Sequence, residues 1–199
     1  MELSMTSLAY IFYRFSPFIL VCFFVLGSII NGEPKGFIYL VGLVFTCVMS
    51  GVLVNMVGDQ PNPNTAPVCT NLSINGVRTN TPYGMIIFAF TFFYLIYPIS
   101  KYKLELENIP TLIFFPLLIL ADIYWNTYYN CFPMVNLITA FIVAGGIGVF
   151  YAFIIDKTKI PSLQYYNVGV NRERCTKASR SRFKCTTYKD GKPVNYQEM

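Results

Sequence analysis

The sequence contains no histidine, a single tryptophan and few charges: Asp, Glu, Lys and Arg make up only 13% of its 199 residues. A soluble domain usually carries about 25% charged residues. The missing histidine removes the side chain that most often moves protons near neutral pH, and the commonest metal ligand. Most hydrolytic mechanisms are weakened before any motif is considered. The six cysteines show no convincing zinc-ligand spacing, and no cofactor-binding motif is present, so no metal or cofactor is expected. What fills the chain instead is apolar: 54% hydrophobic residues and 17% aromatic ones, gathered in long blocks. Such blocks point to a bilayer rather than to one large soluble core.

A helix needs about 20 mostly apolar residues to cross the hydrocarbon layer. Five segments qualify, at roughly 9–30, 36–57, 83–100, 109–128 and 134–155. The expected fold is therefore an all-α integral membrane protein, a five-helix transmembrane bundle over residues 1–155. A basic tail, 156–199, follows. The first span carries Arg14 and Pro17 in its early half, so Arg14 either snorkels to the interface or precedes a helix starting near Phe15. Pro82 is expected to open the short third span at its first helical position.

Five spans place the termini on opposite sides. Lys35, Lys101, Lys103 and the ten Lys/Arg after Asp156 fall on one side, against Arg78 and the ambiguous Arg14 on the other. The bias of basic residues places the tail in the cytosol and loop 58–82 outside it. Asn71-Leu72-Ser73 is a glycosylation sequon on that outer side. Cys69 and Cys131 share the side as well, as a disulfide or as two free thiols. Cys22 and Cys47 lie within spans and read as packing residues.

Three short stretches stand at membrane boundaries on the outer side. They are Asn55-x6-Asn62-Pro63, then Pro82-Tyr83-Gly84-Met85, then Tyr124-Trp125-x5-Cys131-x3-Val135. Their order and spacing resemble the type 2 phosphatidic acid phosphatase superfamily, whose members carry K-x6-R-P, P-S-G-H and S-R-x5-H-x3-D. The resemblance covers about residues 36–155 and implies that bundle without its usual first helix. GFIYLVGLVF (36–45) and CFPMVNLITAFIVAGGIG (131–148) are similar to helices flanking the family's motifs.

In that family Lys and Arg hold phosphate, one His attacks phosphorus beside an orienting Asp, and another His protonates the leaving group. Here Pro63, Pro82 and Gly84 match. Asn55, Asn62 and Trp125 replace the cations, Met85 and Cys131 replace the histidines, and Val135 replaces the Asp. Phosphate recognition needs fixed positive charge. A cysteine nucleophile needs a neighbour that lowers its pKa, and none is aligned with Cys131. Loss of one acid or base typically costs about 10²- to 10⁴-fold. Loss of all of them implies a pseudoenzyme with no catalytic residue.

Within the spans the one deep acid is Asp122. An intramembrane carboxylate is either functional or turned into the bundle and hydrogen-bonded. Asn126, Asn130 and Asn136 read as packing and capping residues. The charged loop bearing Glu105 and Glu107 reads as solvated.

The tail's basic stretch holds Arg172, Arg174, Lys177, Arg180, Arg182 and Lys184. Such charge suits anionic lipid headgroups or a partner protein, or simply fixes topology. Nucleic acid is not expected, because no aromatic–basic RNA motif appears. Arg182 to Tyr188, Asp190-Gly191 and Pro193 to Tyr196 read as a β-hairpin. The Phe/Tyr/Ile/Asn-rich composition and the tail's Cys175-x9-Cys185-Thr-Thr-Tyr-Lys-Asp-Gly-Lys resemble membrane proteins of large icosahedral DNA viruses with an internal membrane. The resemblance implies a structural role in a virion inner membrane, with other virion membrane proteins or minor capsid proteins as partners. The alternatives are a lipid phosphate or diphosphate phosphatase, and a lipid-binding or transport bundle that uses Asp122.

Overall fold

In a computed structural model, the backbone is described for residues 5–58, 69, 80–160, 163–165, 173–177, 183–189 and 192–198. Side chains are described from Arg14 to Tyr165 within those ranges. Among the described residues, five α-helices carry the fold: α1 (Met5–Ile30), α2 (Lys35–Val57), α3 (Tyr83–Lys101), α4 (Ile109–Tyr128) and α5 (Met134–Lys157). Among the described residues, α2 to α5 are each long and apolar enough to cross a membrane. The apolar part of α1 described there, Arg14–Ile30, is shorter. Pro17, Pro98 and Pro116 lie inside helices. Neighbouring helices and local backbone adjustment make such prolines tolerable in membrane-type helices. The third helix begins at Tyr83, so Pro82 is its N-cap rather than its first residue.

The ends of the apolar runs are enforced locally. Among the described residues, Gly32, Lys103, Asn130 and Lys159 have positive φ, each two positions past a helix end. A left-handed residue there lets the next amide reach back to the helix's last carbonyls. Glu33 bonds to the carbonyl of Ser28, Leu104 to Ile99 and Cys131 to Asn126, at 2.9–3.0 Å. These stops keep the connections after α1, α3 and α4 short, so the helices alternate in direction. One end of the bundle, the tail end, gathers the finish of α1, α3 and α5. The opposite loop end gathers the finish of α2 and α4 with the start of α3.

The most extensive helix contact joins α3 and α5, with α2 also packed on α5, α1 on α2, and α4 on α3. Small residues let the backbones approach. A Cβ on Gly148 would stand 2.8 Å from the carbonyl oxygen of Phe90, and one on Gly145 would stand 2.7 Å from the Phe93 ring. Helices in lipid associate through such packing rather than through a hydrophobic drive. The centre is aromatic: Tyr39, Phe90, Tyr94 and Tyr151 have ring centroids 5.8–6.2 Å apart. Tyr39 is fully buried, and its hydroxyl meets Thr91 Oγ1 at 2.7 Å. The Tyr151 hydroxyl donates to the Ile38 carbonyl at 2.8 Å. Phe18, Phe23, Phe37, Leu120, Ile142 and Phe150 are turned outward and more than half exposed, as a lipid-facing surface requires.

After α5, three short strands pair antiparallel in the order β1 (Glu173–Lys177), β2 (Phe183–Lys189) and β3 (Lys192–Glu198). Cys175 is opposite Cys185, and the β2–β3 register shifts between Thr187 and Tyr188. Nothing in the amino-acid pattern had singled out β1. Arg172, Arg180, Arg182, Asp190 and Gly191 lie outside the described residues, as do the side chains of Arg174, Lys177 and Lys184.

Candidate functional site

Among the described residues aligned with the phosphatase motifs, those at the loop end do not share one orientation. Met85, on the first turn of α3, is fully buried in the core. Asn55, on the last turn of α2, is exposed, and Val135, on the first turn of α5, is 43% exposed. Trp125 is partly buried, its ring 4.6 Å from that of Tyr129. Asn62, Pro63, Asn71 and Arg78 lie outside the described residues.

Cys131 is buried and disulfide-bonded to Cys69, with Cα atoms 5.5 Å apart. The turn after α4 sets this position, since the Cys131 amide closes the helix on Asn126. A cystine sulfur has no thiolate to attack phosphorus. Cys22 and Cys47 are free, part-buried thiols within α1 and α2. The bridge ties the 58–82 connection, which the sequence leaves long, to the α4–α5 turn.

Pro82 is buried and ends that connection. No side chain caps α3 locally, and the Tyr83 and Ile86 amides bond to the carbonyls of Thr81 and Pro82. Beside this helix start stands Asp122. A Cβ on Gly84 would lie 3.4 Å from Asp122 Oδ1 and 3.7 Å from Pro17 of α1. Asp122 is 7% exposed, and its Oδ2 has no hydrogen-bond partner among the described residues. Its backbone carbonyl accepts from Asn126 Nδ2 at 2.8 Å. Two electropositive features lie near the carboxylate. The N-terminus of α3 presents the positive end of a helix dipole. Arg14, exposed one turn before Pro17, lies within electrostatic reach. Asp122 is therefore level with the mouth of α3.

Asn136 serves the same junction from α5. Its Nδ2 donates to Asn80 Oδ1 at 2.9 Å, and its Oδ1 occupies the place a Cβ on Gly58 would need. The end of α2, the approach to α3 and the start of α5 thus meet on one amide. Asn136 is expected from the sequence to pack or cap, and spacing does not reveal its partners. Among the described residues, no three His, Cys, Asp or Glu side chains gather as a metal-ligand group. The loop end is a fastened junction with one buried carboxylate.

No protein-family model, curated protein or solved structure matches the chain.

Proposed function

We propose that this protein is a catalytically inactive, multi-pass membrane protein whose bundle anchors the C-terminal segment for contact with other proteins. All five helices span the membrane in this reading, with the tail on the cytosolic side. The bundle descends from a phosphatidic acid phosphatase-like fold without its first helix. The membrane is a virion inner membrane, and the extramembrane parts join it to minor capsid proteins. One observation carries the inactive reading: Cys131, at the nucleophile's place in the motif, is bonded to Cys69. Met85, at the acid's place, is sealed in the core.

The structural role is tested by quantitative mass spectrometry and cross-linking on purified virus particles. The reading expects the chain in stoichiometric amounts, with cross-links from residues 166–199 to a capsid-layer protein. Absence from purified particles overturns the virion role.

A second reading, a lipid-binding or transport bundle, is favoured by the buried Oδ2 of Asp122, which has no hydrogen-bond partner among the described residues. It expects water-accessible labelling beside Asp122 and a transport or binding activity lost in Asp122→Asn.

A further inference from the structure

The chain does not leave the bundle directly after α5. Lys159, at φ 56°, turns it, and residues 163–165 return beneath the tail end. Leu163 packs against the core. Gln164 is buried, and its Nε2 lies 3.4 Å from Asp156 Oδ1. The same carboxylate is ion-paired with Lys101 at the end of α3, and it accepts from the Tyr102 hydroxyl at 2.6 Å. One side chain thus joins the finish of α3, the finish of α5 and the returning segment.

Tyr165 then crosses to α1. Its hydroxyl donates to the main-chain oxygen of Phe24. Its ring stands edge-on to Phe24, with centroids 4.8 Å apart, and edge-on to Tyr39 at 6.1 Å. The α1 helix otherwise rests mainly on α2 and, less extensively, on α3. Tyr165 therefore connects the segment fixed on α5 to the last two turns of α1.

We infer that residues 163–165 form a strap that couples the C-terminal segment to α1. Tension or displacement arriving from the tail is delivered first to the tail end of α1, through Tyr165, and to α3 and α5 through Asp156. A segment that merely trailed from α5 would leave α1 unaffected.

The test uses the full chain in lipid nanodiscs, with amide hydrogen exchange across residues 25–33 and trypsin cleavage after Lys159. Tyr165→Ala should raise exchange there and cleavage by about tenfold each, the effect of losing one hydrogen bond and its ring contact. Amides of α3 and α5 should stay protected. Tyr165→Phe keeps the ring and should give an intermediate effect. Unchanged exchange in 25–33 overturns the strap. So does a rise spread equally over α3 and α5, which would report general loosening instead.

Discussion

Cys131 is bonded to Cys69 across 62 residues of sequence, on the turn that ends α4. This relationship both removes a thiolate and closes the longest connection of the bundle. Closing a loop of that length stabilises by up to about 4 kcal/mol in the chain-entropy account. Cys69→Ala and Cys131→Ala should each lower the melting temperature in detergent by a similar amount. The double substitution should add little to either. In the untreated protein, a maleimide should not label Cys131 until reductant is added. Labelling of Cys131 without reductant contradicts the bridge.

The Tyr39–Thr91 pair predicts an asymmetry. Thr91 Oγ1 also lies 2.6 Å from the Ile87 carbonyl, so it keeps a partner when the tyrosine hydroxyl is removed. Tyr39→Phe should therefore cost about 1 kcal/mol. Thr91→Val strands a hydroxyl on a fully buried tyrosine and should cost more, about 1–3 kcal/mol. A double-mutant cycle on melts in one detergent checks the order. Equal costs would mean the hydroxyl of Tyr39 finds another acceptor.

Two glycines of α5, close in sequence, should respond oppositely. A methyl group on Gly148 meets backbone of α3, which cannot rotate away, whereas one on Gly146 meets nothing within 4 Å. Gly148→Ala should destabilise by about 1–3 kcal/mol through overpacking. Gly146→Ala should be neutral or slightly stabilising, because alanine is the better helix former. Thermal melts of the two variants decide it, and a costly Gly146→Ala would reveal a partner on that outward face.

The strap has a pH signature. Burial pushes the Tyr165 hydroxyl up to about 12, while the neighbouring Ser28 hydroxyl acts the other way. Glu33 faces it from the α1–α2 turn, and Tyr39 and Tyr94 face it from α2 and α3. The folded state thus favours neutral Tyr165. That stabilisation is complete below the ordinary tyrosine range near pH 10 and is lost as pH rises towards 12. Trypsin cleavage after Lys159 is unsuitable at such pH, so tyrosinate absorbance and exchange of α1 amides are the readouts. Lysines discharge in the same window. Tyr165→Phe isolates the tyrosine, because it should remove this component of the transition. A transition unchanged by Tyr165→Phe contradicts the assignment.

The helices were legible because each is a long apolar run ended by polar or turn-forming residues, and α2 to α5 sit on those runs. The stops were less legible. Lys103, Asn130 and Lys159 hold the left-handed conformation that glycine most often takes, so no glycine announces them. Sequence placed Cys69 and Cys131 on one side but left open whether they bond, because that depends on where the α4 stop points the chain. Asp122 was visible as a lone intramembrane acid. Its position opposite Gly84 and Pro17 was not, since three helices define it. The strap left no signal, because Gln164 and Tyr165 belong to no periodic pattern.

The central claim is that the bundle performs no phosphoryl chemistry. The direct measurement is phosphate release from phosphatidic acid and from an isoprenoid diphosphate, by the purified full chain reconstituted in lipid vesicles. The account predicts release equal to that of protein-free vesicles, with or without reductant. Release above that level that disappears in Cys131→Ala would contradict it and restore a working active site at the loop end.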